Sequence, residues 1–452
     1  MAIFIAYIYV LAAISKTPYI MKRSDLLQLN LASIYCFTLY YGEQKIGILV
    51  EDKSNRNNFY IIKPSDIKEY NKDRGTLYTL GEKVSLDCIT SHRPYLRPTT
   101  LQSARVTSTL NATKMVILGA GASFDFSFDG KILEKDRPPL TYNLFNDEYD
   151  KILSSYPGAN VLASEVLQAL DVERFFQEQW EDVKKYHNPD LLNKIINTQY
   201  YLQNLFMDVS DKCKNVKRSN YNSLMSLASK YTVSKGEPIL ITSFNYDTLI
   251  EQAIEAVSGY AYKKIDDYID TNRKLILFKP HGSWNWVRYF KNNATATTPA
   301  TKNQLFSLDL YLKKKTYSEL FLEIDDKVAI DNSPSLTNNS PTFKRFLPQL
   351  LIPFTDKDDF VMPMNQRLLL EANLDKIQEI LIIGWKGTEQ VFKDLLRSKI
   401  GHKQIKITVV NKKDDTIQKV LSSDLPNAEW SFQDTFSEYM KYCSQSKDHF
   451  FN

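Results

Sequence analysis

The sequence predicts an α/β fold: a doubly wound, Rossmann-like parallel sheet with a helical insertion, preceded by a small β-rich domain. Three observations support this prediction. Short apolar runs alternate with helical segments after Lys114, a pair of glycines follows the first run, and polar side chains follow the next two. Wholly apolar runs of this length are typical of parallel strands that helices cover on both faces.

The predicted strands of the parallel sheet are short apolar runs. They are Met115–Leu118, Ile239–Thr242, Leu275–Phe278, Leu350–Ile352, Ile380–Ile383 and Ile405–Val410. Helices are predicted at Tyr246–Val257, Met364–Ile380 and Thr388–Ser398, with a terminal helix at Ser431–Cys443. Strands that alternate with helices in this way predict βαβ units.

The domain organisation follows from the chain length and from the change of pattern along the chain. A chain of 452 residues is too long for one compact core. We predict a β-rich domain of unknown role at residues 1–110, a catalytic domain at 114–425 and a C-terminal helix or tail at 426–452. The catalytic domain carries a helical insertion at about 143–230 and a polar loop insertion at about 289–345.

The β-rich domain is predicted from strand-like runs that polar turns separate. The runs are Ser33–Tyr41, Lys45–Val50, Phe59–Ile62 and Val84–Ile89. The apolar segment Met1–Ile14 is shorter than the roughly 20 residues that span a bilayer, and it lacks the basic start of a signal peptide. We therefore expect a buried strand there, or a true start at Met21.

Charge and cysteine content argue against several classes of protein. Lys and Arg number 57 against 53 Asp and Glu, a net charge of +4. So small an excess does not indicate binding to nucleic acid or to a membrane. The four cysteines lie far apart and form no C-x-x-C pair, which argues against a zinc ribbon and a disulfide scaffold. We expect reduced thiols in a cytoplasmic protein, and no bound metal.

A glycine turn follows the first strand of the predicted sheet, with Gly119 and Gly121 one residue apart and Ser123 after them. Such glycines let the backbone approach a pyrophosphate, which the N-terminus of the next helix also attracts. The third glycine of the dinucleotide fingerprint is absent, with Phe124 in its place. The turn therefore indicates either nucleotide binding or a tight structural connection.

Polar residues follow the second and third strands, where open α/β sheets place ligand-binding groups. Ser243, Asn245 and Asp247 come after the second strand, and His281 comes after the third. Either Asn245 or Asp247 is also suited to cap the next helix, and a lone histidine is often structural. Helix capping does not account for Ser243, Asn245 and Asp247 together. A neutral imidazole can orient or deprotonate a hydroxyl near pH 7.

Together these segments resemble the sirtuin-like domains of bacterial anti-phage defence proteins. The similarity rests on Gly119–Asp125, Ser243–Asp247, His281–Ser283 and Ile382–Gly384, in this order, and covers about two-thirds of the chain. Smaller similarities lie at Arg137–Leu140, Asn143–Phe145 and Asp171–Phe176. The resemblance implies a domain that takes NAD⁺ as its substrate.

The resemblance also implies a role for each matching residue. Asn245 corresponds to the asparagine that holds the nicotinamide ribose and the reacting water. Asp247 corresponds to the aspartate near the nicotinamide amide, and His281 to the catalytic histidine. The implied NAD⁺-binding positions are Gly119, Ala120, Gly121, Ser123, Ser243, Gly384 and Asn411. The segment Trp385–Glu389 departs from the family's small polar run.

Sirtuins that deacetylate proteins carry a four-cysteine zinc module, which this sequence has no cysteine pair to build. The resemblance is therefore to the zinc-free group, whose members mostly cleave NAD⁺. It implies an NAD⁺ glycohydrolase that releases nicotinamide and linear or cyclic ADP-ribose, as the toxic effector of an abortive-infection system. Three alternatives stay open: a non-catalytic NAD or ADP-ribose sensor, a zinc-free deacylase or ADP-ribosyltransferase, and a structural subunit.

Regulation is expected because unrestrained NAD⁺ hydrolysis would kill the host cell. The sequence has no P-loop motif and no recognisable sensor domain. By analogy with the family, we expect activation through assembly or a partner protein: a HerA-family ATPase, a short Argonaute or a nucleotide-sensing subunit. The assembly would be a homo-oligomer or a hetero-complex, without direct contact to nucleic acid or a membrane.

Overall fold

The protein divides into two compact units, residues 1–105 and 106–452. The computed structural model describes the backbone of five strands in the first unit. In the second it describes residues 110–127, 136–169, 171–186, 188–214, 216, 219–290, 324–334, 346–352, 361–411, 415–446 and 449–452. The segment Met1–Ile14 and the alternative start at Met21 lie outside the described residues.

The first unit contains a five-stranded antiparallel sheet in the order β4-β3-β2-β1-β5. Its strands are β1 (Ile34–Leu39), β2 (Gln44–Glu51), β3 (Asn58–Ile62), β4 (Gly81–Ser85) and β5 (Ile89–Tyr95). The predicted single strand Val84–Ile89 is wrong, because β4 ends at Ser85 and a different strand, β5, begins at Ile89; residues 86–88 lie outside the described residues. The two strands pair with β3 and β1 at opposite edges of the sheet, so one continuous strand cannot serve both.

The second unit is built on a six-stranded parallel sheet in the order β14-β13-β12-β6-β7-β8. Its strands are β6 (Lys114–Leu118), β7 (Ile239–Ser243), β8 (Leu275–Phe278), β12 (Glu379–Ile383), β13 (Ile405–Val410) and β14 (Ala428–Gln433). Every side chain of β6, β7 and β8 is buried. The predicted α/β class and parallel sheet are confirmed.

The strand order reverses between β6 and β12. From β6 the chain adds β7 and β8 on one side, and then returns to β12 on the other side before it adds β13 and β14. Right-handed crossovers that run in opposite directions place their helices on opposite faces of the sheet. Open α/β sheets bind ligands beyond the carboxyl ends of the strands at such a switch point.

Helices connect these strands and form the predicted helical insertion. They are α1 (Ala120–Phe124), α2 (Asp150–Leu153), α3 (Pro157–Val166), α4 (Val172–Tyr186), α5 (Pro189–Cys213), α6 (Asn220–Lys235), α7 (Leu249–Ser258), α8 (Met364–Asn373), α9 (Gln390–Ile400), α10 (Thr416–Leu421) and α11 (Phe436–Gln445). Short 3₁₀ helices lie at Thr141–Asn143, Asp147–Tyr149, Ile265–Ile269 and Leu374–Lys376. Helices α2 to α6 belong to the insertion between β6 and β7. No helix among the described residues is long and apolar enough to cross a membrane.

A separate antiparallel sheet lies within the second unit, in the order β10-β9-β11. Its strands are β9 (Gly282–Phe290), β10 (Ile324–Ile330) and β11 (Phe346–Leu350). The predicted parallel strand Leu350–Ile352 is therefore wrong: the strand ends at Leu350 and pairs with β9. A short apolar run shows that a strand is buried but not which partner it takes. The predicted polar tract Asn292–Asn303 lies outside the described residues.

The C-terminal segment is also different from the prediction. Ser431–Cys443 was expected to be one helix, but β14 runs to Gln433 and α11 begins at Phe436. Trp430 and Phe432 are partly buried between more exposed neighbours, a two-residue alternation that suits an edge strand. Ser437 of α11 is bound to α1 through two hydrogen bonds to the Asp125 carboxylate, at 2.9 and 2.8 Å. Through β14 the segment is therefore part of the six-stranded parallel sheet of the second unit.

Gly282 permits the close approach of β9 to β11, and its replacement is expected to destabilise the fold. It has a φ of +77°, and a Cβ atom there would lie 2.0 Å from the carbonyl oxygen of Gln349. We expect Gly282→Ala to lower the free energy of unfolding by about 3 kcal/mol or more, since strain and a backbone clash add. Gly236→Ala is the matched control, because Gly236 has a φ of +72° with nothing within 4 Å. The control should lose about 1 kcal/mol. Equal losses in urea denaturation would contradict this account of Gly282.

Candidate active site at the carboxyl edge of the sheet

Four loops meet where the strands of the parallel sheet end. The glycine turn follows β6, the segment Ser243–Asp247 ends β7 and leads into α7, His281 follows β8, and Gly384 follows β12. The turn and the Gly384 loop flank the switch point, and the other two loops follow the next strands along the sheet. The site residues predicted at these strand ends therefore lie at one edge, although they are far apart in sequence.

The two glycine loops are in direct backbone contact. Gly119 N donates to Ile383 O and Gly121 N donates to Gly384 O, each at 3.0 Å. A Cβ atom on Gly119 would lie 2.5 Å from Gly384 O, and one on Gly384, which has a φ of +60°, would lie 2.3 Å from Ala122 N. The glycines are thus required for a tight connection between two loops, as the structural interpretation of the turn predicts.

Asn245 is held by three acceptors on two other elements. Its Nδ2 atom lies 2.9 Å from Gly119 O, 2.8 Å from Ser123 Oγ and 3.2 Å from Tyr221 OH. Ser123 Oγ and Tyr221 OH are themselves 2.9 Å apart. Because Gly119 O can only accept, these contacts fix which end of the amide is Nδ2. The side-chain oxygen Oδ1 is therefore the end that can accept from a ligand.

Asp247 has a capping role that Asn245 lacks. The Asp247 carboxylate accepts from Leu249 N at 3.1 Å, at the first turn of α7. Ser243 Oγ accepts from the backbone N of Asn245 at 3.3 Å and so shapes the loop between them. Burial raises the pKa of Asp247 above its ordinary value, although the nearby Lys279 ammonium and the hydrogen bonds oppose the shift. The capping alternative therefore describes Asp247 in part and leaves Asn245 unexplained.

A buried charge network lies beneath this loop. Lys279 Nζ donates to Asp247 O at 2.5 Å, to Glu251 Oε1 at 2.8 Å and to Ser283 Oγ at 2.9 Å. Tyr268 OH also donates to Glu251 Oε1, at 3.0 Å. Burial raises the pKa of Glu251, and Lys279 works against that rise. The Lys279 ammonium thus links α7, the β7–α7 loop and β9.

His281 is buried and its orientation is defined. Its Nδ1 atom lies 3.2 Å from Phe244 O, and since a carbonyl only accepts, Nδ1 carries a proton. Its Nε2 atom lies 3.8 Å from Glu389 Oε1. The ring also packs against the edge of Phe244, with centroids 4.8 Å apart at 65°. The neutral form of His281 therefore has Nε2 as its basic nitrogen.

The remaining predicted residues have less direct roles. Ala120 begins α1 between the two turn glycines, and Asn411 is half-buried directly after β13. Gly384 N donates to Val410 O at 3.2 Å, which brings Gly384 next to Asn411 in the chain fold. The structure thus places Asn411 beside Gly384, on the β12–β13 side of the switch point.

Four residues of this site were not predicted from the sequence: Tyr221, Glu251, Lys279 and Glu389. Tyr221 comes from α6 of the helical insertion, far from the motifs. Lys279 and Glu251 each lie close in sequence to a predicted residue, so an unusual charge beside a strand-end motif was an available signal. Glu389 lies in the segment that departs from the family pattern, and that departure was the available signal for it.

No group of three His, Cys, Asp or Glu side chains that could hold a metal occurs within the part of the chain that the structure describes. A cavity of about 530 Å³ lies elsewhere, lined by Thr113, Glu237, Gln378 and Gln404 among others. These residues precede β6, β7, β12 and β13, so the cavity opens at the amino ends of the strands. Ligands of open α/β sheets bind at the opposite, carboxyl ends.

Comparison with known proteins gives similarity at the level of solved structures. No family model and no curated protein matches the chain. Two similar solved structures are a complex of a Sir2 homologue with NAD and a histidine-to-asparagine mutant of a Sir2 homologue with ADP-ribose, each 12% identical with a TM-score of 0.34. The first covers 76% of this chain and 93% of the other, and the second 75% and 93%. This chain is similar to Sir2 homologues.

The raised pKa of Asp247 predicts a pH-dependent effect of its replacement. A carboxyl whose pKa is higher in the folded than in the unfolded protein stabilises the fold below its ordinary value of 3.8, and that stability is lost as the pH rises through the folded value. Asp247→Asn keeps an acceptor for Leu249 N but does not titrate. We expect the variant to gain stability relative to the wild type as the pH rises from acid to neutral.

Melting temperatures of both proteins across this pH range test the prediction. Asp415→Asn serves as the control, because the Asp415 side chain is exposed and pairs with Lys419 on the surface. A difference between Asp247→Asn and the wild type that does not change with pH would show that the carboxyl is not perturbed.

Proposed function

We propose that this protein is an NAD⁺ glycohydrolase that cleaves NAD⁺ to nicotinamide and ADP-ribose. The observation that carries the proposal is that Asn245 and Asp247 follow β7 and His281 follows β8 at the carboxyl edge of the sheet, beside the glycine turn, with a backbone-fixed amide and a defined basic nitrogen. A dinucleotide is the type of ligand that open α/β sheets bind at this position. The resemblance to zinc-free sirtuin-like enzymes agrees with the same choice.

The proposed reaction breaks the bond between nicotinamide and the ribose carbon and adds water to that carbon. Nicotinamide takes the bonding electrons and leaves as a neutral molecule, so the ribose passes through an oxocarbenium-like state. The water gives a hydroxyl group to ADP-ribose and releases one proton, which passes by way of the general base to the solvent. Because the leaving group is already activated by its positive charge, the protein mainly has to orient the ribose and deliver the water.

Asn245 is the proposed anchor for the ribose and the water. Its Nδ2 atom is committed to Gly119 O, Ser123 Oγ and Tyr221 OH, and its side chain is fixed from three directions. Its Oδ1 atom would accept from a ribose hydroxyl or from the attacking water. An amide does this without bringing a charge next to the forming cation. Preorganised polar groups of this kind need no rearrangement during the reaction.

His281 is the proposed general base. With Nδ1 donating to Phe244 O, the ring would take a proton from a ribose hydroxyl or from the water on Nε2. General base catalysis contributes about 10²–10⁴-fold, so positioning must supply the rest. Asp247 would bind the nicotinamide carboxamide. Ser243 and the glycine turn with Ser123 would line the ribose and phosphates, with Gly384 and Asn411 on the adenosine side.

We further propose that the enzyme is an effector in anti-phage defence that a partner or an assembly activates. Asn245 is 6% exposed and His281 is 4% exposed, and we propose that this burial is a resting state that keeps NAD⁺ away from both side chains. An enzyme whose substrate is essential to its host would need such a closed resting state. The partner classes named above, and assembly into an oligomer, are the proposed means of opening it.

Product analysis tests the proposed reaction. We expect purified protein, alone or with the protein of its neighbouring gene, to convert NAD⁺ to nicotinamide and ADP-ribose. Asn245→Ala and His281→Ala should each lower the rate by about 10²-fold or more. Asn285→Ala and His402→Ala are matched controls, since Asn285 bonds to Asn332 in the separate antiparallel sheet and His402 follows α9 away from the site.

Each outcome of this assay has a definite meaning. Loss of product in the two site variants, with the controls active, supports the glycohydrolase and its site. Binding of NAD⁺ without turnover, even with the partner, would contradict the enzyme and favour the sensor alternative. Turnover that survives both site substitutions would show that the reaction takes place elsewhere on the protein. ADP-ribose found on protein instead of in solution would identify a transferase.

A further inference from the structure

Glu389 is a buried carboxylate that helix capping does not explain. Its backbone oxygen accepts from Phe392 N at 3.1 Å and Lys393 N at 3.0 Å, as an N-cap residue of α9 does. Its side chain makes no capping hydrogen bond, and glutamate is not among the residues that N-caps favour. Since a buried carboxylate is costly without a partner, the side chain needs another reason to be there.

The Glu389 side chain reaches back to His281. Its Oε1 atom lies 3.8 Å from His281 Nε2, with both side chains less than a tenth exposed. The separation is that of an ion pair and is longer than a hydrogen bond. Little water lies near two side chains this deeply buried to screen their charges. The carboxylate therefore attracts a positively charged imidazole more strongly than it would at the surface.

Trp385 holds the carboxylate in place. Its Nε1 atom donates to Glu389 Oε2 at 2.5 Å. Its ring stacks on Phe244, with centroids 5.3 Å apart and planes 8° from parallel. Phe244 in turn accepts the Nδ1 hydrogen bond of His281 through its backbone oxygen. Phe244, His281, Glu389 and Trp385 thus form a closed ring of contacts, in which both nitrogens of the imidazole face an acceptor.

We propose that Glu389 is a positioning residue that fixes the His281 ring and stabilises the imidazolium formed when Nε2 takes a proton. This inference rests on the proposed role of His281 as the general base. In the reaction, the O–H bond of the ribose hydroxyl or water breaks and an N–H bond forms on Nε2. The proton stays on Nε2 and is not passed to Glu389, so the proposed contribution of Glu389 is charge and orientation.

Other ionisable groups near His281 bear on its protonation. The Tyr246 ring lies 6.2 Å from it, and burial raises the pKa of this phenol well above its usual range, so the phenol stays neutral. Glu173 of α4 acts on Tyr246 at longer range. Lys279 is two residues away in the chain but points its ammonium at Asp247 O and Glu251. Within the part of the chain that the structure describes, Glu389 is therefore a charged group on the Nε2 side of the ring.

The kinetic test compares Glu389→Gln with Glu389→Asp in the full-length protein. The Gln variant keeps the shape and an acceptor for Trp385, whereas the Asp variant keeps the charge on a shorter side chain. For Glu389→Gln we expect kcat for NAD⁺ cleavage to fall about tenfold with KM changed less than about threefold. The acid limb of its pH profile should move about one pH unit toward acid, because the His281 imidazolium loses a stabilising charge.

The order of the two variants separates charge from shape. Glu389→Asp should retain more activity than Glu389→Gln if the charge matters. Activity in Glu389→Gln equal to that of the wild type, with an unchanged pH profile, would overturn the proposal. Glu379→Gln is the matched control, because Glu379 pairs with Lys114 at 2.8 Å at the amino end of β12, away from the site.

A second measurement does not depend on activity. The NMR titration of His281 in protein labelled with ¹⁵N-histidine, assigned with a His281→Gln variant, reports the pairing directly. We expect the pKa of His281 to be about one unit lower in Glu389→Gln than in the wild type or in Glu379→Gln. An unchanged His281 pKa overturns the proposal even if the protein cleaves NAD⁺. If the His281 pKa is lower in Glu389→Gln but the protein does not cleave NAD⁺, the pairing of Glu389 with His281 is supported and the proposed glycohydrolase activity is rejected.

Discussion

The contact between two glycine loops at the switch point is the constraint on which the rest of the site depends. Gly119 and Gly121 donate to the carbonyl oxygens of Ile383 and Gly384, and no side chain fits between the two backbones. This contact sets where Gly119 O points, and that oxygen is one of the acceptors that orient Asn245. The strand order then adds the loops after β7 and β8 beside it. A tight structural turn and a ligand site are therefore compatible interpretations of the same glycines.

The charged side chains buried behind these loops carry a cost in lost hydration. Lys279, Glu251 and Asp247 are all buried, and burial raises the pKa of both carboxyls despite the ammonium between them. Replacing buried ion pairs by apolar residues of similar size is often neutral or stabilising, so such a network is weak evidence of a purely structural role. Its geometry suggests another purpose: Lys279 fixes the backbone of Asp247 while the aromatic cluster of Phe244 and Trp385 fixes the loop in front.

The sequence predicted the parallel sheet well because each buried strand is a short apolar run followed by a turn or a polar residue. Strand positions at Leu275–Phe278 and Ile405–Val410 agree with the structure residue for residue. The prediction failed where the partner of a strand decides its place. The predicted run Leu350–Ile352 overlaps only the end of β11, which belongs to an antiparallel sheet, and the end of β14 was predicted as part of a helix. Within the site, local motifs indicated Asn245, Asp247 and His281. Tyr221 and Glu389 were missed because only the folded chain brings α6 and the start of α9 to those motifs.

The position of bound NAD⁺ would show whether Asn245 and His281 form the active site. We would determine a crystal structure of the full-length protein with carba-NAD⁺, in which a carbon replaces the ribose ring oxygen so that the bond to nicotinamide stays intact. We expect the nicotinamide ribose to lie within hydrogen-bonding distance of Asn245 Oδ1 and His281 Nε2, and the pyrophosphate to lie near the glycine turn. A dinucleotide bound elsewhere, such as in the cavity beside Thr113 and Gln378 at the amino ends of the strands, would contradict it.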